Sequence, residues 1–319
     1  MDQSAIADRR RLRRKLGFWR IAAAVLVIGL GVAAFRLAGG DMAAGSGSPH
    51  IARIEISGLI QDDEELLGRL KKIGDSDRVK ALVVSISSPG GTTYGGERIF
   101  KAIRAVAEKK PVVSDVRTLA ASAGYMIATA GDTIIAGETS ITGSIGVIFQ
   151  YPQTKQLLDK IGVSLEEIKS APLKAEPSPF HDASEEAKAM IRAMVMDSYD
   201  WFVDLVAERR KLPRPEVLRL ADGSIFTGRQ ALAAKLVDTL GGPEAIRAYL
   251  DGRKVAKDLP FVDYEPTRRS GIPFIGGSIR ELARSVLGLS LDLQPTIEKL
   301  AGEKLFLDGL VSVWQVDRD

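Results

Sequence analysis

The stretch "AASAGY" at residues 120–125 sets one hydroxyl, Ser122, among alanine and glycine, and "ISSPGG" at 86–91 places a glycine pair a short way upstream. These residue types suit acyl transfer. A serine oxygen attacks a carbonyl, and glycine N–H groups, which can approach a ligand closely, hold the oxyanion that forms. The N–H of Ala123, at the start of the apolar helix that "GYMIATA" suggests, is a second donor. Each stretch also has a plainer reading: Pro89-Gly90-Gly91 as a tight turn after a buried strand, and Ser122 as a helix cap. A nucleophilic serine further needs a base, and the chain has two histidines and no cysteine. His50 adjoins a Gly/Ser-rich stretch and His181 lies in "PSPFHDAS", and both read as surface histidines. A lysine can act instead if burial lowers its pKa from about 10.4 by some 3 units, leaving it neutral near pH 7. Lys174, in "SAPLKAEPSP", stands among small and apolar residues, with Lys169 the near rival. Taken alone, these residues permit a serine/lysine enzyme without requiring one.

The surrounding pattern supplies a scaffold. "HIARIEISGLI" at 50–60 alternates like a strand, and "EELLGRLKKI" at 64–73 has helical spacing. "VKALVVSI" at 79–86 is the β-branched run of a strand covered on both faces. A helix follows, with Ile99, Ile103 and Val106 on one side. "PVVSDV" at 111–116, "DTIIAG" at 132–137 and "SIGVIFQ" at 144–150 read as strands, and "KQLLDKIG" at 155–162 as a helix. A long helix is expected over 183–212, with Ser184, Glu185 and Glu186 at its start and Arg209, Arg210 and Lys211 at its end, matching the helix dipole. Strands alternating with helices predict an α/β domain with largely parallel pairing.

The first 40 residues differ from the rest. They hold eight basic and two acidic residues, so the overall charge of +3 leaves −3 for the remainder. The pI near 9.0 therefore reports this end and not a nucleic-acid surface. "RRRLRRK" at 9–15 precedes "IAAAVLVIGLGVAAF" at 21–35, which Phe18, Trp19, Leu37 and Ala38 lengthen toward the roughly 20 residues of a spanning helix. A cleavable signal peptide competes with this reading, but "DMAAGSGS" at 41–48 offers no convincing cleavage site. The expected organisation is a basic cytoplasmic segment (1–17), a transmembrane anchor (18–38), a Gly/Ser linker (39–49), a catalytic domain (50–264) and an extension of unknown role (265–319). The positive-inside rule sends the domain across the membrane. The absence of cysteine excludes disulfides and a thiol nucleophile.

Five motifs, "VVSISSPGG", "AASAGYMIATA", "ITGSIGVIF", "SAPLKAEPSPF" and "DGSIFTGRQALAAKLVDTLGG", stand in the order and spacing of signal peptide peptidase A. The chain resembles the short, single-unit form of that family over roughly residues 50–252. The resemblance implies the Clp protease/crotonase fold, a spiral of β-β-α units, and a serine protease needing no metal or cofactor. It implies Ser122 as nucleophile, Lys174 as general base, Ser144 as the serine that orients the lysine, and Gly91, Gly90 and Ala123 as oxyanion donors. It also implies a homo-oligomeric ring, eight the expected number, in which serine and lysine meet across protomers. The location implied is the bacterial inner membrane, with the domain on the periplasmic side and cleaved signal peptides as substrates. Two residues depart from the family pattern, Ala123 and Lys235, each where glycine is usual. A degenerate scaffold, a crotonase-type acyl-CoA enzyme and a protease that cuts membrane proteins are the rival readings.

Overall fold

A computed structural model describes residues 19–23, 25–31, 48–266 and the backbone of 311–313. The chain divides into two units, Met1–Ser48 and Pro49–Asp319. In the first, residues 19–23 and 25–31 are helical (α1), with Ile21, Val25 and Ile28 exposed. Among the described residues no helix is long and apolar enough to cross a membrane. The expected anchor, 18–38, runs beyond the described residues at both ends. Nearly all of the linker and most of 265–319 also lie outside them.

The second unit is a mixed α/β fold. Its elements run β1 (His50–Ile60), α2 (Glu64–Asp75), β2 (Val79–Thr92), α3 (Thr93–Ala107), β3 (Val112–Ala121), α4 (Ala123–Ala128), β4 (Thr133–Ala136), β5 (Ile141–Gly143) and α5 (Lys155–Ile161). There follow α6 (Glu185–Arg210), α7 (Arg214–Leu220), β6 (Ile225–Thr227), α8 (Gly228–Ala233), β7 (Thr239–Leu240), α9 (Pro243–Gly252), β8 (Phe261–Asp263) and β9 (Val311–Val313). The sheet runs β6-β5-β3-β2-β1-β8, and β1, β2, β3 and β8 pair in parallel. The outer edge of β3 is shared: β4 pairs with Val113–Val116 and β5 with Leu119–Ala121. That division leaves the last residues of β3 beside β5, next to Ser122.

Both faces of the strands are covered, as the β-branched run predicts. Ile54, Ile56, Val84 and Ile86 meet Leu70, Ile73, Ile99 and Ile103 of α2 and α3, together with α4. At the other face Ile51, Val83 and Val113 meet Ile246 and Leu250 of α9. Each such side chain contributes about 1.5–3 kcal/mol on burial. The helix α6 begins as expected: Ser184 accepts the Ala187 N–H at 3.1 Å. Apart from Ala187 at its start, its buried residues, Phe202, Val203, Leu205 and Val206, all lie in its last turns.

Two sequence expectations change. The glycine stretch expected as a turn is strand: β2 continues through Gly90 and Gly91, which pair with Leu59 and Ile60 of β1. A chain without side chains lies close against β1 there and stays in the ladder. Conversely, "SIGVIFQ" is not a strand; β5 ends at Gly143, because Ser144 takes a left-handed φ of 48° that no ladder accommodates.

Lys235, which replaces the family's usual glycine, is exposed and has φ 56°. That is the region where only glycine avoids a steric penalty. A Lys235→Gly variant is expected to unfold at higher denaturant concentration, a gain of about 0.5–1 kcal/mol net of glycine's greater freedom in the unfolded chain.

Candidate active site

The site begins where β3 runs into α4. Ala121 pairs with Gly143 of β5, and the next N–H, that of Ser122, donates to the Gly143 carbonyl at 2.8 Å. The chain then reverses direction within one residue: Ser122 has φ 58° and ψ −119°, and α4 starts at Ala123. The Met126 N–H returns to the Ser122 carbonyl at 2.9 Å. The cap reading fails here, since Ser122 holds the N-cap position but its hydroxyl makes no capping bond. A non-glycine residue in such a conformation costs on the order of 1–3 kcal/mol. Packing around the elbow offsets that cost. At the far end of α4, Arg209 donates to the carbonyls of Thr129 and Gly131 at 2.8 and 2.9 Å, and Arg104 to that of Ala130 at 2.9 Å. The Tyr125 hydroxyl donates to Leu236 O at 2.8 Å, and full burial pushes that phenol's pKa upward.

Ser122 is 1% exposed and lines a cavity of about 480 Å³. Ser144 lines it too, its N–H donating to Ser224 O at 2.7 Å. Gly143, between them in space, has φ 92°, and a Cβ there would lie 2.6 Å from the Phe226 ring. The remaining wall is largely apolar, with Val147 and Ile148 on one side and Val195, Met196 and Tyr199 of α6 on the other. Asp222 stands at the rim, its carboxyl held below the usual range by the hydroxyl and N–H of Ser224. Sequence reasoning singled out neither Asp222 nor the α6 residues. Their one signal was an apolar face on α6 lying ahead of the turns that reach the core.

The glycine strand passes close by. Ser88, fully buried, donates to Gly58 O at 2.6 Å and accepts the Gly90 N–H at 3.1 Å. Gly90, at φ 115°, thus spends its donor on shaping the strand. A Cβ on Gly91 would fall 1.9 Å from Ile60 O, so no side chain fits there. Gly124 is similarly confined, 2.9 Å from Ser88 O by the same construction. The methyl of Ala123 lies against Gly96 of α3, where an added Cβ would be 3.2 Å away. It is buried and absent from the described cavity lining, so the departure from glycine leaves the cavity wall unchanged.

Lys174 is exposed in the single chain, in a turn where its N–H donates to Ala171 O at 3.1 Å and Ala175 has φ 63°. It is not among the described residues that line the Ser122 cavity. The burial expected for a lysine base is therefore not supplied by the described residues of its own chain. Lys169 is placed quite differently. Its ammonium lies 2.6 Å from Glu167 and 2.7 Å from Glu176, and these bonds raise its pKa above the ordinary value. A lysine so paired stays charged and is no base. His181 joins the same cluster, 3.3 Å from Glu176. His50 is not a surface histidine: it is 1% exposed, bonds the Tyr264 hydroxyl at 2.9 Å and stacks on its ring.

A buried serine on a strained strand-to-helix elbow is the arrangement that presents an oxygen to a carbonyl, and the chain is a serine protease. It belongs to peptidase family S49, whose model matches residues 104–256. A protein of Synechocystis sp. named as a protease is 39% identical over 65% of this chain and 78% of its own length. One named signal peptide peptidase SppA, from Enterococcus faecium, is 34% identical over 74% of this chain and 73% of its own. Protease 4 of Haemophilus influenzae is 32% identical over 60% of this chain and 32% of that longer protein.

Proposed function

We propose that this chain is a membrane-anchored endopeptidase with a Ser122/Lys174 dyad, acting on spent signal peptides at the bacterial inner membrane with its catalytic domain on the periplasmic side. The observation that carries the reading is the strained, buried Ser122 lining an apolar cavity. The Lys169 ion pairs support Lys174 as the base by removing its nearest rival. The parallel strands with intervening helices agree with the Clp protease/crotonase spiral that the sequence motifs imply.

In this mechanism neutral Lys174 takes the Ser122 proton as the oxygen attacks the scissile carbonyl. The N–H groups of Gly91 and Ala123 hold the oxyanion, with Gly90 and Ser88 fixing the strand that carries Gly91. The lysinium gives its proton to the leaving amine, and water then repeats the cycle on the acyl-enzyme. Ser144 orients the lysine. No metal or cofactor takes part.

Because Lys174 is exposed and apart from the Ser122 cavity lining, the dyad forms between protomers of a ring, which we take to be an octamer. Exposed Leu157, Ile161, Val163, Leu165, Met194 and Met196 supply apolar surface for that contact. An apolar cavity suits apolar signal-peptide cores, and the name of the Enterococcus faecium relative fits this substrate class.

The test is labelling of the purified full chain with a fluorophosphonate probe, wild type beside Ser122→Ala. Wild type labels and the variant does not. Labelling that persists in the variant moves the nucleophile elsewhere. No labelling in an assembled wild type favours a degenerate scaffold.

A further inference from the structure

Lys174 stands on a segment with no regular structure of its own. Residues 162–184, between α5 and α6, contain neither helix nor strand, and Lys174 lies in a turn near their middle. Two backbone bonds close that turn, from the Lys174 N–H to Ala171 O at 3.1 Å and from the Glu176 N–H to Leu173 O at 3.3 Å. Proton transfer tolerates little displacement of the accepting group, and a long irregular loop does not by itself hold one in place. Side chains on the two arms of the loop do so here. Lys169, ahead of the turn, donates to Glu176, behind it, at 2.7 Å and pairs with Glu167 at 2.6 Å. The Ser178 N–H donates to Glu176 at 3.3 Å and its hydroxyl to Glu167 at 3.4 Å. His181 Nε2 lies 3.3 Å from Glu176. The Glu176 side chain, at the centre of this cluster, is only 7% exposed. A carboxylate buried that deeply is costly unless paired, and each of its partners here is another part of the same loop.

We infer that Glu176 is a positioning residue for the reaction: paired with Lys169 across the 170–175 turn, it fixes the segment that presents Lys174 to Ser122. This rests on the reading of Lys174 as general base. The two lysines, five residues apart, then have opposite tasks, one neutral and reactive, the other charged and structural. Lys169 holds the carboxyls of Glu167 and Glu176 below the usual range, and they raise its own pKa. The clasp therefore stays ionised at the alkaline pH where Lys174 is neutral. It is also complete within one chain, so the turn enters an assembly already shaped and little ordering cost falls on forming the dyad.

The test compares Glu176→Gln and Glu176→Asp in the full chain. Glutamine keeps the size of the side chain and loses the charge; aspartate keeps the charge and loses reach. Hydrolysis of an apolar fluorogenic peptide is followed against pH, with mass in solution. Glu176→Gln is expected to lower kcat about 10–100-fold, the scale of a displacement near 1 Å, with KM, the shape of the pH profile and the mass unchanged. Glu176→Asp is expected to recover most of that loss. Lys169→Ala, which leaves Ser178 and His181 on Glu176, is expected to show the same split at smaller size, and it supplies the reading if Glu176→Gln does not fold. Glutamine equal to or better than aspartate overturns the clasp, since packing alone then matters. A raised KM with unchanged kcat, or a smaller mass, overturns it too, by assigning the cluster to substrate binding or assembly. Unchanged kcat in Glu176→Gln beside an inactive Lys174→Ala overturns the clasp and leaves the dyad intact. If Lys174→Ala is itself active, the dyad fails and the clasp falls with it.

Discussion

Replacing Lys174 by alanine is expected to abolish peptidase activity, by about four orders of magnitude or more, and to leave the assembly intact. Loss of a proton acceptor from a nucleophile that acts as a unit with it removes most of the catalytic rate. Lys174 itself is exposed in the chain, in a turn outside the described cavity lining, so its removal takes nothing from the core. The check is peptide hydrolysis against pH together with mass in solution, for wild type, Lys174→Ala and Lys169→Ala. A lysine base works only when neutral, so the wild-type rate rises with pH toward an alkaline optimum. Lys169→Ala is expected to retain that profile with a modest loss of rate, because Lys169 holds Glu167 and Glu176 in place and moves no proton. Full activity in Lys174→Ala removes Lys174 as the base, and an acidic optimum defeats the dyad.

Gly91→Ala is expected to have an effect of similar size for a different reason. The added methyl would sit 1.9 Å from the Ile60 carbonyl oxygen and 2.5 Å from the Ile60 nitrogen. Both are backbone atoms in the β1–β2 ladder, where Ile60 pairs with Gly91, and neither can swing aside as a side chain can. The strands must part locally, which costs several kcal/mol by the measure of other overpacked sites, and the Gly91 N–H moves with them. Loss of one oxyanion donor lowers kcat by about 10²–10³. The expected result is a destabilised chain with kcat/KM down by at least that factor. Gly58→Ala serves as the comparison: at φ 68° it meets strain but no atom within 4 Å, so about 1–2 kcal/mol of stability is lost while activity is kept. Equal activity in Gly91→Ala and wild type removes Gly91 from the oxyanion site.

Much of this protein was legible in its residues. The β-branched run at 79–86, the helical face of Ile99, Ile103 and Val106, and the charge-matched ends of the long helix each follow from local periodicity, which burial then obeyed. Family membership was legible too, because five short motifs in fixed order are specific even when each is weak. Conformations set by contacts distant in sequence were not. Gly90 and Gly91 look like a turn in isolation and become strand only because β1 lies against them. Residues 144–150 look like a strand and are not, because Ser224 and Phe226, about 80 residues on, hold the end of β5. His50 looked like a surface residue until Tyr264, from beyond β8, closed over it.

The same division holds for the chemistry. Residue type and surroundings put Ser122, Lys174 and the glycines forward, since those are the groups acyl transfer requires, and the family resemblance added Ser144. What the sequence could not decide was which of their roles geometry permits. Ser122 is no helix cap because, at φ 58° and ψ −119°, its hydroxyl makes no capping bond. Gly90 is a shaper and not a donor because Ser88 takes its N–H. Lys169 is no base because two carboxylates keep it charged. Local sequence specifies propensity and the kinds of group available; only the folded chain fixes dihedral angles, partners and burial, and those decide what each group does.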